Sequence, residues 1–407
     1  MYTYDRLQHL DLEVSSLCNA LCPVCNRRQS GGIKNPMFTE TYVTLEQYKK
    51  WFPVELISRL FSISFCGNYG DAMTNPELIS ILEYTKELNP NIKVTMNTNA
   101  SGRNEKFWQD LGRLVGSNGH VTFSIDGLED TNHIYRRGTH WHKIMSAAKN
   151  YIGAGGTARW DYLVFKHNQH QVTEAEALAK EMGFDHFFHK KALGFVNSDT
   201  DRVATPAMHV FNETGQLDYV LEPPMEGRWQ NNVIKDYISK TTFNKVDGED
   251  VESKHALKTF KLEEHRPKYI PKPFKMDNTR PLTQWEKDLG STKIDCLVLK
   301  SDSFFVSSEG LVWPCCFTAS KYYAYDNEET SQLKSFINDY GKDKISLRHV
   351  TLKDIIDGPM FQEKYVENFN DNNVRNKRLR TCSIFCGKDT NAEMQSTWDS
   401  VKTKYHT

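Results

Sequence analysis

Six short runs rich in β-branched and aromatic residues, at 9–14, 62–66, 92–97, 120–126, 158–166 and 184–190, alternate with five helix-like segments near 45–60, 76–88, 103–115, 140–152 and 171–182. This alternation constrains the fold more than any other feature, because strands separated by helices of this length pair in parallel. All-helical and hairpin-based architectures are set aside. The second helix-like segment carries its own start signal, with Asn75 as the expected N-cap and Pro76 at the first helical position. Repeated βα units imply an α/β fold in which a parallel sheet curls partly round on itself as a partial (βα)6 barrel. Sites in such barrels lie at the C-terminal ends of the strands, so the residues just after each strand are the candidates for chemistry.

The alternation stops near residue 194. From 195 to 290 the sequence is polar and broken by prolines such as Pro223 and Pro224, and a bridge with little regular structure is expected. Within it, 258–275 is locally basic and interleaved with Phe260, Tyr269 and Phe274, a mixture that suits a phosphate or nucleic-acid partner. Glu263 and Glu264 dilute that character, and an extended covering segment is expected instead. A third segment, 291–407, holds five of the nine cysteines. The expected division is therefore a barrel at 1–194, a bridge or insert at 195–290 and a C-terminal α+β domain at 291–407.

Across 407 residues, 51 basic side chains nearly cancel 52 acidic ones, so no global field draws the chain to nucleic acid or an anionic membrane. No run of about 18 apolar residues occurs, and the first residues lack the basic and apolar regions of a signal peptide. A cytoplasmic protein with no membrane contact is expected. Nine cysteines are too sparse for a disulfide-stapled miniature, and their odd number leaves one unpaired under full oxidation. Metal or redox chemistry in a reducing compartment fits them better.

Directly after the first run come Cys18, Cys22 and Cys25, spaced C-x3-C-x2-C. Three thiolates on so short a loop can hold three irons of a [4Fe–4S] cluster and leave the fourth without a protein ligand. Zinc is the alternative, although structural zinc normally draws on two C-x2-C-like pairs.

In this spacing and placement the chain resembles the radical S-adenosylmethionine (SAM) superfamily. The resemblance implies that SAM chelates the open iron, that the reduced cluster passes one electron into the sulfonium, and that a 5′-deoxyadenosyl radical then abstracts a hydrogen atom from substrate. Further similarity follows the strand ends in family order. The stretch Cys66-Gly67-Asn68-Tyr69-Gly70-Asp71 stands where many members carry Gly-Gly-Glu-Pro. Gly67, Asn68 and Asp71 are thereby implied around the SAM amino group, with Asp71 supplying the carboxylate in place of glutamate. Asn97 and Asn99 are the implied polar ribose contacts. Ser124-Ile125-Asp126-Gly127 with downstream Arg136 and Arg137 resembles the auxiliary-cluster branch, where the serine and an arginine meet the SAM ribose and carboxylate. A planar guanidinium suits a carboxylate because it binds at two points. Val24 departs from the aromatic residue often found before the third cysteine.

Cys296, Gly310 and Cys315 form C-x13-G-x4-C, and Cys382 and Cys386 follow much later. This resembles the SPASM extension, and the small cysteine number fits its shortened, one-cluster form, the twitch domain. The implied ligands of one auxiliary [4Fe–4S] cluster are Cys296, Cys315, Cys382 and Cys386. Structural zinc is the rival there, since four cysteines in two groups suit it nearly as well. Two strands, at 304–306 and 311–313, are expected around a turn at Ser308, Glu309 and Gly310. Arg375, Lys377, Arg378 and Arg380 precede Cys382; they either raise the potential of a negatively charged cubane or line a solvated helix face. Cys66 and Cys316 are left over, with Cys66 expected to be structural.

The leading expectation is an oxygen-sensitive radical SAM oxidoreductase that oxidises a small molecule, with the auxiliary cluster accepting the electron. It would need a one-electron reductant such as flavodoxin or ferredoxin. The alternatives are a maturase that modifies a peptide or protein and, in another class, an iron–sulfur redox sensor without SAM cleavage.

Overall fold

Six parallel strands carry the molecule: β1 His9–Leu12, β2 Ser62–Phe65, β3 Lys93–Thr98, β4 His120–Ser124, β5 Ala158–Val164 and β6 His186–Lys191. Each pairs with the next in chain order, as expected of successive βα units, and β1 and β6 do not meet. The molecule is thus α/β with an open, sequentially ordered parallel sheet. The computed structural model describes residues 2–37, 39–192, 195, 207–230, 279–324, 328–375 and 377–388. The basic stretch 258–275 and most of the 195–290 bridge lie outside the described residues.

The connecting helices are α1 Leu45–Trp51, α2 Val54–Arg59, α3 Leu78–Leu88, α4 Glu105–Val115, a short α5 Asn132–Tyr135, α6 Trp141–Gly153 and α7 Val172–Glu181. The segment expected as one helix over 45–60 is two, because Pro53 disfavours helical backbone at Phe52, which sits extended at φ −119° and ψ 97°. The helix expected from Pro76 begins at Leu78. Asn75 is occupied differently: its amide donates to the carbonyls of Val14 and Val43 at 3.0 and 2.8 Å, while its Oδ1 accepts from Glu77 N at 2.7 Å. A fully buried asparagine that ties three segments together fixes the entry to α3 from the preceding turn.

The register sorts the sheet into two faces, since alternate residues point to opposite sides. Leu10, Ile63, Val94, Val121 and Phe123 fall on one side and are fully buried against the helices. Phe123 alone meets Trp108, Tyr151 and Phe184 with ring centroids 5.5–5.8 Å apart. Burying each such side chain contributes about 1.5–3 kcal/mol, which makes this layer the main source of stability. The other side is polar: Asp11, Ser64, Thr95, His120, Asn97, Thr122, Arg159, Ser124 and Asp161 follow one another by register. Lys190 is paired with Asp161 there, while burial and the Arg159 cation, whose Nη1 lies 3.3 Å from Nε2, hold His120 down at about 4 and so neutral. A parallel sheet with a polar inner face is built to enclose polar ligands rather than a second apolar layer.

Two later pieces complete the frame. Part of the stretch expected to lack regular structure folds as a hairpin, β7 Met208–Phe211 and β8 Leu217–Leu221. Asn212 organises its turn, its Oδ1 accepting from Thr214 N at 3.0 Å and Gln216 N at 2.9 Å. The expected C-terminal strand pair is present as β9 Ser303–Val306 and β10 Val312–Trp313. It extends the main sheet, because β9 pairs in parallel with β1 from Ser303 opposite His9 to Val306 opposite Leu12. Phe304 and Val306 continue the apolar face and are fully buried. Among the described residues no helix is long and apolar enough to cross a membrane.

Candidate cofactor sites at the strand ends

The loop carrying Cys18, Cys22 and Cys25 leaves the C-terminal end of β1, where the barrel argument places a site. Arg27, which the sequence reading did not single out, braces it from within: it is buried and donates to the carbonyl of Cys18 at 2.7 Å and to that of Ala20. A lone arginine two residues past a cysteine gives no distinguishing signal. Leu21 N donates to the Arg137 carbonyl at 2.8 Å, and the Asn19 amide to the Ser101 carbonyl at 3.2 Å, so the loop is pinned to the ends of β3 and β4.

N–H donors reach two of the three sulfurs. Asn99 Nδ2 and Ala20 N each approach Cys18 Sγ at 3.4 Å, and Arg136 Nη1 approaches Cys22 Sγ at 3.6 Å. Burial nevertheless dominates: it pushes the Cys18 thiol up to about 12, and it raises Cys22 against the opposing pull of Arg136. A bound cation is what offsets such a cost, because ligation replaces the thiol proton. The donor set, three thiols on one loop with N–H groups aimed at sulfur, fits an iron–sulfur cluster.

Asp71 is wholly enclosed. Its Oδ2 accepts from Asn99 N at 2.7 Å, Asn99 Nδ2 at 2.9 Å and Thr98 Oγ1 at 3.1 Å, and its Oδ1 caps the turn at Met73 N at 3.2 Å. Burial raises its pKa while these donors lower it. The carboxylate is thus engaged in setting Asn99, which in turn reaches Cys18. Gly67 is exposed in the same loop, Asn68 is half-buried with its Nδ2 donating to the Cys316 carbonyl at 2.9 Å, and Gly70 approaches the Ser15 carbonyl so closely that a Cβ would stand 1.9 Å from its oxygen. The loop is tied down further by Glu13, whose Oε1 accepts from Tyr69 N at 2.7 Å.

Asn97 and Ser124 point from β3 and β4 onto the polar inner face, Asn97 exposed and Ser124 half-buried. The two arginines divide. Arg136 Nε donates to the fully buried Asp126 at 2.6 Å while its Nη1 faces Cys22. Burial works against its charge, but Asp126 and Cys22 outweigh that and hold its pKa above the usual value. Arg137 turns outward to the carbonyls of Gly31 and Phe211 and to Asp218 at 2.7 Å. It fastens the cysteine loop to the β7–β8 hairpin, an element the sequence reading did not place.

The second group is brought together by the C-terminal segment. Each thiol of Cys296, Cys315, Cys382 and Cys386 lies near enough to the other three to act on its charge. Cys386 donates to Cys296, which holds Cys296 down at about 7 and pushes Cys386 far up. Burial raises Cys315 to about 11 and Cys382 well above the ordinary thiol value. The backbone supports the meeting: Asp295 N donates to the Cys386 carbonyl at 2.7 Å, and Phe317 stacks on Phe385 at 4.3 Å. Among the described residues no group of three or more His, Cys, Asp or Glu side chains is gathered tightly enough for a single metal ion.

The basic run before Cys382 matches neither expectation fully. Arg375 and Arg380 are buried on Glu286, at 3.2 and 2.6 Å, rather than solvated. Burial would raise Glu286, but Arg375 and its other partners prevail and hold it at about 2. Arg378 is the member that acts on one of these four thiols, Cys382. The left-over thiols are not isolated either, for Cys66 and burial together raise the Cys316 thiol well above its ordinary value.

No family model matches the chain, and no curated protein matches its sequence. Solved structures similar to it include SuiB from Streptococcus suis bound to S-adenosylmethionine, at 15% identity and TM-score 0.46 over 79% of this chain and 63% of that one. Against SuiB, then, the chain spans somewhat less than two thirds of the partner's length. Another is anSMEcpe with bound AdoMet and the Cp18Cys peptide, at 14% identity and TM-score 0.49 over 98% and 97% of the two chains. A third is BtrN in complex with AdoMet and 2-DOIA, at 12% identity and TM-score 0.34 over 93% and 92%.

Proposed function

We propose that this chain is a radical SAM enzyme that oxidises a small, polar substrate with the help of one auxiliary [4Fe–4S] cluster. The observation that carries this reading is the convergence on one loop, at the C-terminal end of a parallel sheet, of three thiols, the Asn99 amide and the Arg136 guanidinium. Cys18, Cys22 and Cys25 would hold the first cluster and leave one iron open to SAM. The chemistry supplied by that cluster and SAM, when bound, is one-electron cleavage of the sulfonium, which starts hydrogen-atom abstraction.

The chain's own residues do the positioning. Asp71 fixes Asn99 against Cys18, and Asp126 fixes Arg136 against Cys22, so both donors are held by buried carboxylates. Gly67, Asn97 and Ser124 are the exposed or half-buried strand-end groups left to meet SAM, whereas the Asn68 amide is engaged with the Cys316 carbonyl at 2.9 Å and borders them. The polar inner face accommodates a substrate with hydrogen-bonding groups. Cys296, Cys315, Cys382 and Cys386 would ligate the auxiliary cluster completely, a closed set that suits electron acceptance rather than substrate binding. A flavodoxin- or ferredoxin-type donor would reduce the first cluster.

Anaerobic reconstitution followed by product analysis tests the reading. Iron-loaded, reduced protein should convert SAM to 5′-deoxyadenosine and methionine, and a Cys18/Cys22/Cys25→Ala variant should not. Full iron loading without SAM cleavage would replace the enzyme by a redox sensor. Turnover dependent on an added peptide would move the substrate to the peptide class.

A further inference from the structure

Two cations on the polar inner face of the sheet have no carboxylate to answer them. Lys93 opens β3 and lies on that face by register, opposite Ser62 and two residues before Thr95. Arg159 stands near the start of β5, opposite Thr122 on one side and His186 on the other. On β4, between them, is His120, opposite Thr95. The carboxylates of the nearby strands are engaged elsewhere: Asp161 with Lys190, and Asp185 with His186 Nδ1 at 2.5 Å. Asp11, on β1, is two strands from Lys93 and four from Arg159. Among the described residues neither Lys93 nor Arg159 forms an ion pair, and the Arg159 guanidinium makes one hydrogen bond, from Nη1 to His120 Nε2 at 3.3 Å, while its Nε is buried without a partner. A guanidinium only donates, so Nε2 accepts and the neutral ring carries its proton on Nδ1. Three donors on three adjacent strands are thus left without an acceptor: Lys93 Nζ, His120 Nδ1–H and Arg159 Nη2.

We propose that Lys93, His120 and Arg159 form a binding site for a phosphate group at the N-terminal edge of the polar face. Strand spacing and rise put the Cα atoms of Lys93 and His120 about 8 Å apart, a gap that a lysine side chain spans. One phosphate can accept from all three donors at once, and its double negative charge matches two cations beside a neutral N–H donor. Hydrogen bonds between charged partners of this kind are the strong ones. The neutral ring matters to the arrangement: it turns the guanidinium with Nε2 and offers Nδ1–H to the ligand. The site is separate from the cysteine loop. From Lys93 to Thr98, the residue before Asn99, β3 runs about 17 Å at the usual rise, so a phosphate held here stands at the opposite end of the sheet from Cys18. It is either a free ion or the far end of a phosphorylated molecule lying along the polar face.

The test is calorimetric titration of the full, iron-loaded chain with inorganic phosphate, methyl phosphate and acetate, in a buffer free of other oxyanions. Inorganic phosphate should bind saturably at one site per chain. K93M and R159M should each weaken it about tenfold or more, the scale of one hydrogen bond to a charged group. R159K should bind more tightly than R159M because it keeps the charge, and K143M, on the exposed side of α6, should bind as the parent does. Methyl phosphate binding as well as the free ion would assign the site to a phosphate carried on a larger molecule; its exclusion would assign it to the free ion. The absence of saturable phosphate binding in the parent would overturn the proposal. So would parental affinity in both K93M and R159M, or tighter binding of acetate than of phosphate. If R159M is unfolded by circular dichroism, K93M and R159K carry the comparison. Neither iron nor SAM takes part in the measured heat, so protein that fails to load a cluster or to cleave SAM still reports on this site.

Discussion

Arg136 and Asp126 show how one ion pair can serve both stability and a site. Asp126 is fully buried, accepts from Leu163 N at 2.6 Å and from Arg136 Nε at 2.6 Å, and is raised by burial even so. Removing the arginine leaves an uncompensated buried carboxylate, which costs about 3–5 kcal/mol, more than an exposed pair would. Arg136→Met should therefore lose about that much in urea denaturation of the metal-free protein, and adding Asp126→Asn should recover part of it. Glu13 offers a pH test. Burial raises its carboxyl to about 7 despite the donors at Tyr69 and Gly70. Between its unfolded value and about 7, the unfolded chain ionises while the folded one keeps its proton, so stability falls as pH rises through that window. Glu13→Gln keeps the accepting oxygen and removes the titration. It should flatten the fall and be more stable than the parent at pH 8 by on the order of 2 kcal/mol, read from urea midpoints at pH 5 and 8.

At the scale of elements, the strands were legible because β-branched and aromatic runs are short, separated by helical periodicity, and locally determined. Each of β1–β6 begins within two residues of its expected start. Helix starts were less legible. Pro53 and Asn75 act through neighbours: the proline breaks a periodic stretch in two, and the asparagine answers to carbonyls of Val14 and Val43 from other parts of the chain. The β9–β10 hairpin was expected, but not its parallel pairing with β1, since no local pattern states which edge a distant strand joins. Its docking hinges on Gly310, with φ +86° and so close to the α1 ring of Trp51 that a Cβ would stand 2.8 Å from Cζ2. Gly310→Ala combines an unfavourable left-handed backbone with overpacking against a buried tryptophan. It should destabilise the protein by about 1–3 kcal/mol, seen as a lower denaturant midpoint with an unchanged slope.

For the whole molecule, the cysteine sequence positions told which thiols could act together, but not how the rest of each site is arranged. Asp71 carried the sequence signal of a ligand-facing acid, yet it is turned inward onto Thr98 and Asn99. Arg27 gave no signal at all, because an arginine that braces its own loop through the carbonyls of Cys18 and Ala20 has no distinguishing spacing. The same separation makes the two proposed clusters independently testable. Cys18, Cys22 and Cys25 sit on one loop after β1, whereas the other four thiols are supplied wholly by residues after 295 and are held by the Asp295–Cys386 and Phe317–Phe385 contacts. None of those contacts passes through the first loop. A Cys18/Cys22/Cys25→Ala variant, reconstituted anaerobically, should therefore retain about four irons and four sulfides per chain at the second site. Cys382→Ala in that background should abolish them. Zinc without sulfide in the triple variant would instead make the C-terminal group a structural metal site and remove the proposed electron acceptor.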